Sequence, residues 1–152
     1  MSCLHGRFNA DNPGYLGPLL VTIGVSRSFP DSAPDSAKDE PSQFMALIDT
    51  GASHTSISPK VVEKVGLSCI SMIPMVSATD SGGTLSPVYI VDLYIYFGPD
   101  SRTIFRGIQV TEFSGSNSTK DSDSTFDILL GRDILCKGVF TLSFDGHFTF
   151  SL

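Results

Sequence analysis

Ala46-Leu47-Ile48-Asp49-Thr50-Gly51-Ala52-Ser53 is the stretch on which the fold turns. Phe44 to Ile48 is an apolar run of strand length, and it stops abruptly at a carboxylate followed by Thr and Gly. Such an ending sets Asp49 on a tight loop beside a hydrophobic wall. Gly51 lets the backbone approach a neighbouring chain or ligand closely. The Thr50 hydroxyl is expected to lock the loop by hydrogen bonding to backbone. Standing alone, Asp-Thr-Gly is ordinary turn chemistry, so the surroundings decide what it means.

Outward from this loop the pattern is of short strands. Leu19 to Val25 precedes it as a β-branched apolar run, and Cys69 to Val76, Val88 to Phe97, Thr103 to Phe113 and Phe126 to Leu130 follow. Val139 to Phe144 and His147 to Leu152 flank Asp145-Gly146, a preferred pair for a tight hairpin. Phe148 and Phe150 alternate with polar residues, as on a core-facing strand. Ser58 to Gly66 reads as a short helix, with Ser58 at the N-cap, Pro59 in the first turn and Gly66 as the stop. Residues 26–42, carrying Pro30, Pro34 and Pro41, and the polar stretch 114–124 read as surface loops. Residues 77–86 are polar and glycine-containing and fit a hairpin tip. The sum is an all-β fold, closed or sandwich-like and small, with one or two short helices.

Composition bounds the function. The chain has 152 residues, 41% apolar and 17% charged, which suits one globular domain over 1–152 with one core. A net charge of −6, with the ten Lys and Arg scattered, excludes a nucleic-acid backbone as partner. The three cysteines, Cys3, Cys69 and Cys136, are odd in number and far apart, so neither a disulfide framework nor a zinc site is expected. Cys69 and Cys136 lie in apolar runs and read as small core residues. Asp121-Ser122-Asp123 lacks the Gly and distal Glu of a calcium loop, and Asn117-Ser118-Thr119 reads as a chance triplet. No stretch in Met1 to Arg7 has signal-peptide character and no segment approaches a membrane span. A soluble chain in the reducing cytoplasm is the expectation.

Two further features surround Asp49. Ile128-Leu129-Leu130-Gly131-Arg132-Asp133-Ile134-Leu135 supplies a second apolar strand running into Gly and a short helical stretch. Between the two segments lies a strand–tip–strand unit, Ile70 to Phe97, of a size that suits a flap. In this order the chain resembles the retropepsin family, the retroviral aspartic proteases and their single-domain cellular and bacterial relatives. Pro18 to Ile23 is similar to their early strand, Ala46 to Ala52 to their catalytic loop, and Leu130 to Leu135 to their apolar-apolar-Gly-Arg segment. His5 to Asn9 resembles the opening of bacterial members.

The resemblance implies one closed β lobe of the acid-protease type per chain and a homodimer. Asp49 of each subunit would meet its copy at the two-fold axis, with Thr50 and Gly51 completing each catalytic loop. It implies peptide or protein substrates and no metal or cofactor. Gly51, Ala52, Ser53 and His54 would line the substrate site, and Thr79, Asp80, Ser81, Gly82 and Gly83 would fold over it as a flap tip. Leu130, Gly131, Arg132 and Asp133 would support the loop from beneath. The terminal strand could build a dimer sheet, as C-terminal strands do in the family. Ser53 stands where retroviral members usually carry Asp, so Arg132 needs another partner, for which Asp133 of the other subunit is the candidate. Asp80-Ser81-Gly82 has no apolar lead-in strand, which argues against a second catalytic loop in the chain. His54 reads as a solvated rim residue. The competing reading is a dimeric module of the same fold that binds peptides and cleaves them weakly or not at all.

Overall fold

Runs of β-branched and aromatic residues become strands where one face can be buried, and the chain is built almost wholly from such runs. A computed structural model describes residues 2–7, 17–34, 39–76, 83–113, 126–143 and 146–152. In chain order its elements are β1 (Cys3–Arg7), β2 (Leu20–Arg27), β3 (Ser42–Ile48), β4 (Ser56–Ile57), α1 (Pro59–Val65), β5 (Ser71–Met75) and β6 (Thr84–Gly98). They continue with β7 (Ser101–Glu112), β8 (Ile128–Leu130), α2 (Arg132–Leu135), β9 (Val139–Leu142) and β10 (His147–Ser151). No helix among the described residues is long and apolar enough to cross a membrane.

Six strands in the order β2-β3-β8-β4-β7-β6 close into a barrel, because β6 also pairs with β2. β5 hangs outside the barrel on β6 alone. β1, β10 and β9 form a separate three-stranded antiparallel sheet. The core runs through the barrel and under that small sheet. Ile23, Val25, Ala46, Ile57, Val91, Leu93, Ile95, Val110, Ile128 and Phe150 are wholly buried, with Phe148 beside them. Each large apolar side chain removed from water in this way contributes roughly 1.5–3 kcal/mol before entropy is charged against it.

Closing so small a barrel requires β6 to bend. Its ladder with β7 is interrupted between Val91 and Leu93, where Asp92 sits, and a bulge of this kind bends a strand and raises its twist. Asp92 is only 1% exposed. Its Oδ1 accepts the Gly107 amide at 2.9 Å, and Arg106 Nη1 lies 3.4 Å from Oδ2. Arg106 also reaches Asp31 at 3.6 Å, so it can re-solvate if the buried carboxylate is lost. Asp92→Ala is therefore expected to cost roughly 1.5–3 kcal/mol, mostly from the orphaned Gly107 amide and the lost charged hydrogen bonds. Asp92→Asn, which can still accept that amide, should cost less. Denaturant midpoints of the two variants check the ordering.

A second polar pair, part-buried, joins β6 to β7. The Tyr89 hydroxyl donates to Glu112 Oε2 at 2.9 Å. Burial first, then the Glu112 hydrogen bond and charge, push the Tyr89 phenol up to about 12. Because the fold favours the protonated phenol, this contribution is complete below the unfolded value near 10 and fades as pH rises toward about 12. Wild type should lose roughly 2 kcal/mol more than Tyr89→Phe across that interval, which urea denaturation of both proteins at several alkaline pH values would measure.

Several expectations meet corrections here. β2 runs on through Ser26 and Arg27, and β3 starts at Ser42, so the connection is shorter than 26–42. Ser26 is buried, with its hydroxyl 3.2 Å from that of Tyr94. β6 starts at Thr84, inside the stretch expected as a hairpin tip. Thr79, Asp80, Ser81 and Gly82 lie outside the described residues, as do loop 114–124 and Asp145. Cys69 and Cys136 are exposed and not in the core. Cys69 leads into β5, which pairs with β6 alone among the described strands and is exposed along most of its length, and Cys136 caps the single turn of α2. α1 keeps its expected bounds, but the Ser58 hydroxyl makes no capping bond.

Candidate active site

The Asp49 loop is held by a strand pairing that joins residues far apart in the chain. β3 and β8 run parallel with Ile48 opposite Leu130. The ladder continues one step, as the Asp49 amide donates to the Leu130 carbonyl at 3.0 Å. On its other side the Ile48 amide donates to Leu19 O at 2.9 Å. The backbone that presents the carboxylate is thus pinned from both sides.

The loop then folds back on its own side chain. Asp49 Oδ1 accepts the Gly51 amide at 2.8 Å and the Ala52 amide at 3.2 Å. Oδ2 has no partner among the described residues. Asp49 is half-buried, whereas Thr50, Gly51, Ser53 and His54 are exposed. One carboxylate oxygen is anchored and the other is left without a hydrogen bond among the described residues, an arrangement able to take a water or a second carboxylate.

The expected lock by Thr50 is not made among the described residues, where its hydroxyl has no hydrogen bond. The loop is instead closed by Gly131 and its neighbours. The Arg132 amide donates to Ala52 O at 3.0 Å. Gly131 lies so close to the strand after the loop that a Cβ there would stand 2.5 Å from the His54 carbonyl carbon and 2.9 Å from the Thr55 amide nitrogen. Only a residue without a side chain fits that approach.

Thr55, which the sequence reading passed over, is the hub of this support. It is fully buried, its hydroxyl donates to Asp133 Oδ1 at 2.8 Å, and the same oxygen accepts the Gly131 amide at 3.1 Å. Asp133 Oδ1 also takes the Ile134 amide at 3.0 Å. Its place six residues beyond Asp49 gave no signal, since a threonine after Ser-His is unremarkable until the two segments are seen side by side. Asp133 is therefore engaged within its own chain. Arg132 is exposed, and its side chain has no ion-pair partner among the described residues.

His54 Nδ1 lies 3.0 Å from Ser53 Oγ, both at the rim. Gly83, the one expected tip residue that is described, is exposed with φ +62° beside the start of β6. Among the described residues no three His, Cys, Asp or Glu side chains converge in a way that could hold a metal ion.

A family model described as aspartyl protease matches residues 38–134, which takes in the Asp49 loop, the barrel strands β3 to β8 and the Leu130–Asp133 support. The chain belongs to the aspartyl protease family. The crystal structure of a retropepsin-like aspartic protease from Rickettsia conorii aligns with a TM-score of 0.57 and 13% identity, covering 97% of this chain and 89% of that one. At that identity the likeness shows the fold, and the fold of this aspartyl protease family member is retropepsin-like, as the resemblance implied. Comparison with curated proteins gives no match.

Proposed function

We propose that this family member is an aspartic endopeptidase that works as a homodimer, hydrolysing peptide bonds with a water activated between Asp49 and its copy. The observation that carries the reading is the Asp49 carboxylate itself, held through Oδ1 by the Gly51 and Ala52 amides with Oδ2 left open. A turn residue of purely structural use would not need an open, ionisable oxygen at the end of a buried strand.

Two carboxylates about 3 Å apart share one proton, because both cannot be charged at that distance. The ionised partner takes a proton from the water as it attacks the scissile carbonyl. The protonated partner polarises that carbonyl and then helps protonate the leaving nitrogen. The two titrations belong to the pair. Gly51 and Ala52 would lie along the substrate, and residues 79–83 would cover it. Since the pair works while holding one proton, activity is expected to peak in acidic to mildly acidic solution.

The competing module, which binds peptides without cleaving them, draws support from Ser53 and its exposed partner His54, where retroviral relatives carry an acid. A mixed peptide library between about pH 4 and 7 separates the two. Cleavage products with defined flanking preferences support the protease. A folded dimer that retains peptides and leaves them whole supports the module.

A further inference from the structure

Three strand edges stand open among the described residues: β1, β5 and β9 each pair with a single neighbour. Proteins protect such edges from self-pairing with prolines, charges or twist. β5 carries Pro74, and β1 carries His5 and Arg7. β9, Val139-Phe140-Thr141-Leu142, carries neither proline nor charge. It also leaves Val139 63% and Leu142 51% exposed. An apolar, undefended edge is what a strand partner requires.

The terminal strand β10 cannot serve that purpose. The Ser2 and Leu152 amides each donate to the other residue's carbonyl, at 3.2 and 3.0 Å, and β1 pairs along all of β10. On the opposite side β9 pairs with Val139 to Leu142 set against Ser151 to Phe148. Both edges of the C-terminal strand are filled from within the chain. A dimer sheet built on the C-terminal strand, which the resemblance suggested, would have to break one of these ladders.

We infer that β9 is the dimer strand: it pairs antiparallel with β9 of a second copy, so that the two small sheets join into one of six strands. The inference rests on the dyad reading, which needs a second copy to complete the site. It also fixes a register. The Ser143 amide donates to His147 O at 2.8 Å, so by the alternation of an antiparallel ladder Val139 and Thr141 bond toward β10. Phe140 and Leu142 then turn their backbone groups to the open edge. Matching these outward groups places Phe140 opposite the partner's Leu142 and Thr141 opposite its own copy, with the two-fold axis between the two Thr141 residues. Self-pairing of one strand in this way is isologous and closes at two copies. It covers the Leu142 side chain with the partner's Phe140. Only Cys136, Lys137 and Gly138 separate β9 from α2, whose first amide is bonded to Ala52 of the Asp49 loop.

The register gives a sharp test. In a non-hydrogen-bonded antiparallel pair, Cα atoms are about 4.5 Å apart, inside the range of about 4.4–6.8 Å that a disulfide spans. With Cys3, Cys69 and Cys136 replaced by Ser, Thr141→Cys should form a covalent dimer on mild oxidation. Thr149→Cys, on the walled-in β10, should not. In the native background Leu142→Lys should shift the protein from dimer to monomer and lower cleavage more than tenfold while its circular dichroism stays unchanged. A dimer that cleaves peptides but never cross-links through position 141 overturns the β9 interface and leaves the protease reading standing. A cross-linked dimer that cleaves nothing supports the interface and overturns the protease reading. A monomer with full activity overturns both.

Discussion

Asp49→Asn should abolish peptide cleavage, by about 1,000-fold or more, while leaving the fold and its thermal midpoint almost unchanged. The amide oxygen can still accept the Gly51 and Ala52 amides that now meet Oδ1 at 2.8 and 3.2 Å, so the loop keeps its shape. What is lost is a group able to take a proton from water and return it to the leaving nitrogen. Proton transfer of this kind is worth about 100- to 10,000-fold at one group. Here the substitution falls on both halves of the pair at once, and residues acting as a unit fail together. Steady-state cleavage of the best library peptide, with wild type and variant compared at equal folded concentration, measures the drop.

Gly131→Ala should damage the active site through a single methyl group. The added carbon would meet the His54 carbonyl carbon and oxygen at 2.5 and 2.6 Å and the Thr55 amide nitrogen at 2.9 Å. All three are backbone atoms, so no side-chain rotation relieves the clash. Overpacking alone costs roughly 1–3 kcal/mol, and the bonds from Gly131 N to Thr55 Oγ1 and from Arg132 N to Ala52 O would be strained with it. A loss of roughly 3 kcal/mol or more in stability is expected. Where the variant still folds, the displaced Asp49 loop should cost about 100-fold in turnover, as a shift near 1 Å can. Gly66→Ala is the informative control. It sits at φ +70° with open space around it, so it should cost only about 1 kcal/mol and leave turnover intact. Denaturation and cleavage of the two variants side by side separate local crowding from the general loss of a glycine.

The sequence disclosed the elements whose cause is local. β2, β6 and β7 are rich in β-branched residues, β3 is an apolar run, α1 is bracketed by Pro59 and Gly66, and Phe148 and Phe150 point inward because they alternate with polar residues. The Asp49 loop and the Leu130–Gly131 segment were both visible, and the family resemblance they carry implied their contact. The rest depends on pairing between distant residues. β1 has no strand-like composition, and it is a strand because β10 offers it a ladder. β4 is two residues long and exists only between β7 and β8. Asp92 lies unremarked inside the expected strand Val88 to Phe97, and its role shows only when the Gly107 amide and the barrel's need to bend are seen together. Cys69 failed as a core residue for the opposite reason. Its neighbours Ile70, Met72 and Ile73 are apolar, yet β5 lies outside the barrel on β6 alone, and all three are exposed as well. Thr55 shows how the site itself stays hidden. Its importance lies in touching Gly131 and Asp133, residues more than seventy positions away.

The claim at the centre of this account is that one active site is built from two Asp49 residues on two chains. Mixing tests it most directly. Wild type is held at fixed concentration with saturating peptide substrate, and a ninefold excess of Asp49→Asn protein is added and allowed to exchange subunits. If a working site needs both carboxylates, wild-type homodimers fall to about one in a hundred of all dimers, and cleavage per wild-type chain falls about tenfold. Unchanged cleavage after confirmed exchange would mean that a single Asp49 suffices, and the shared dyad would be wrong.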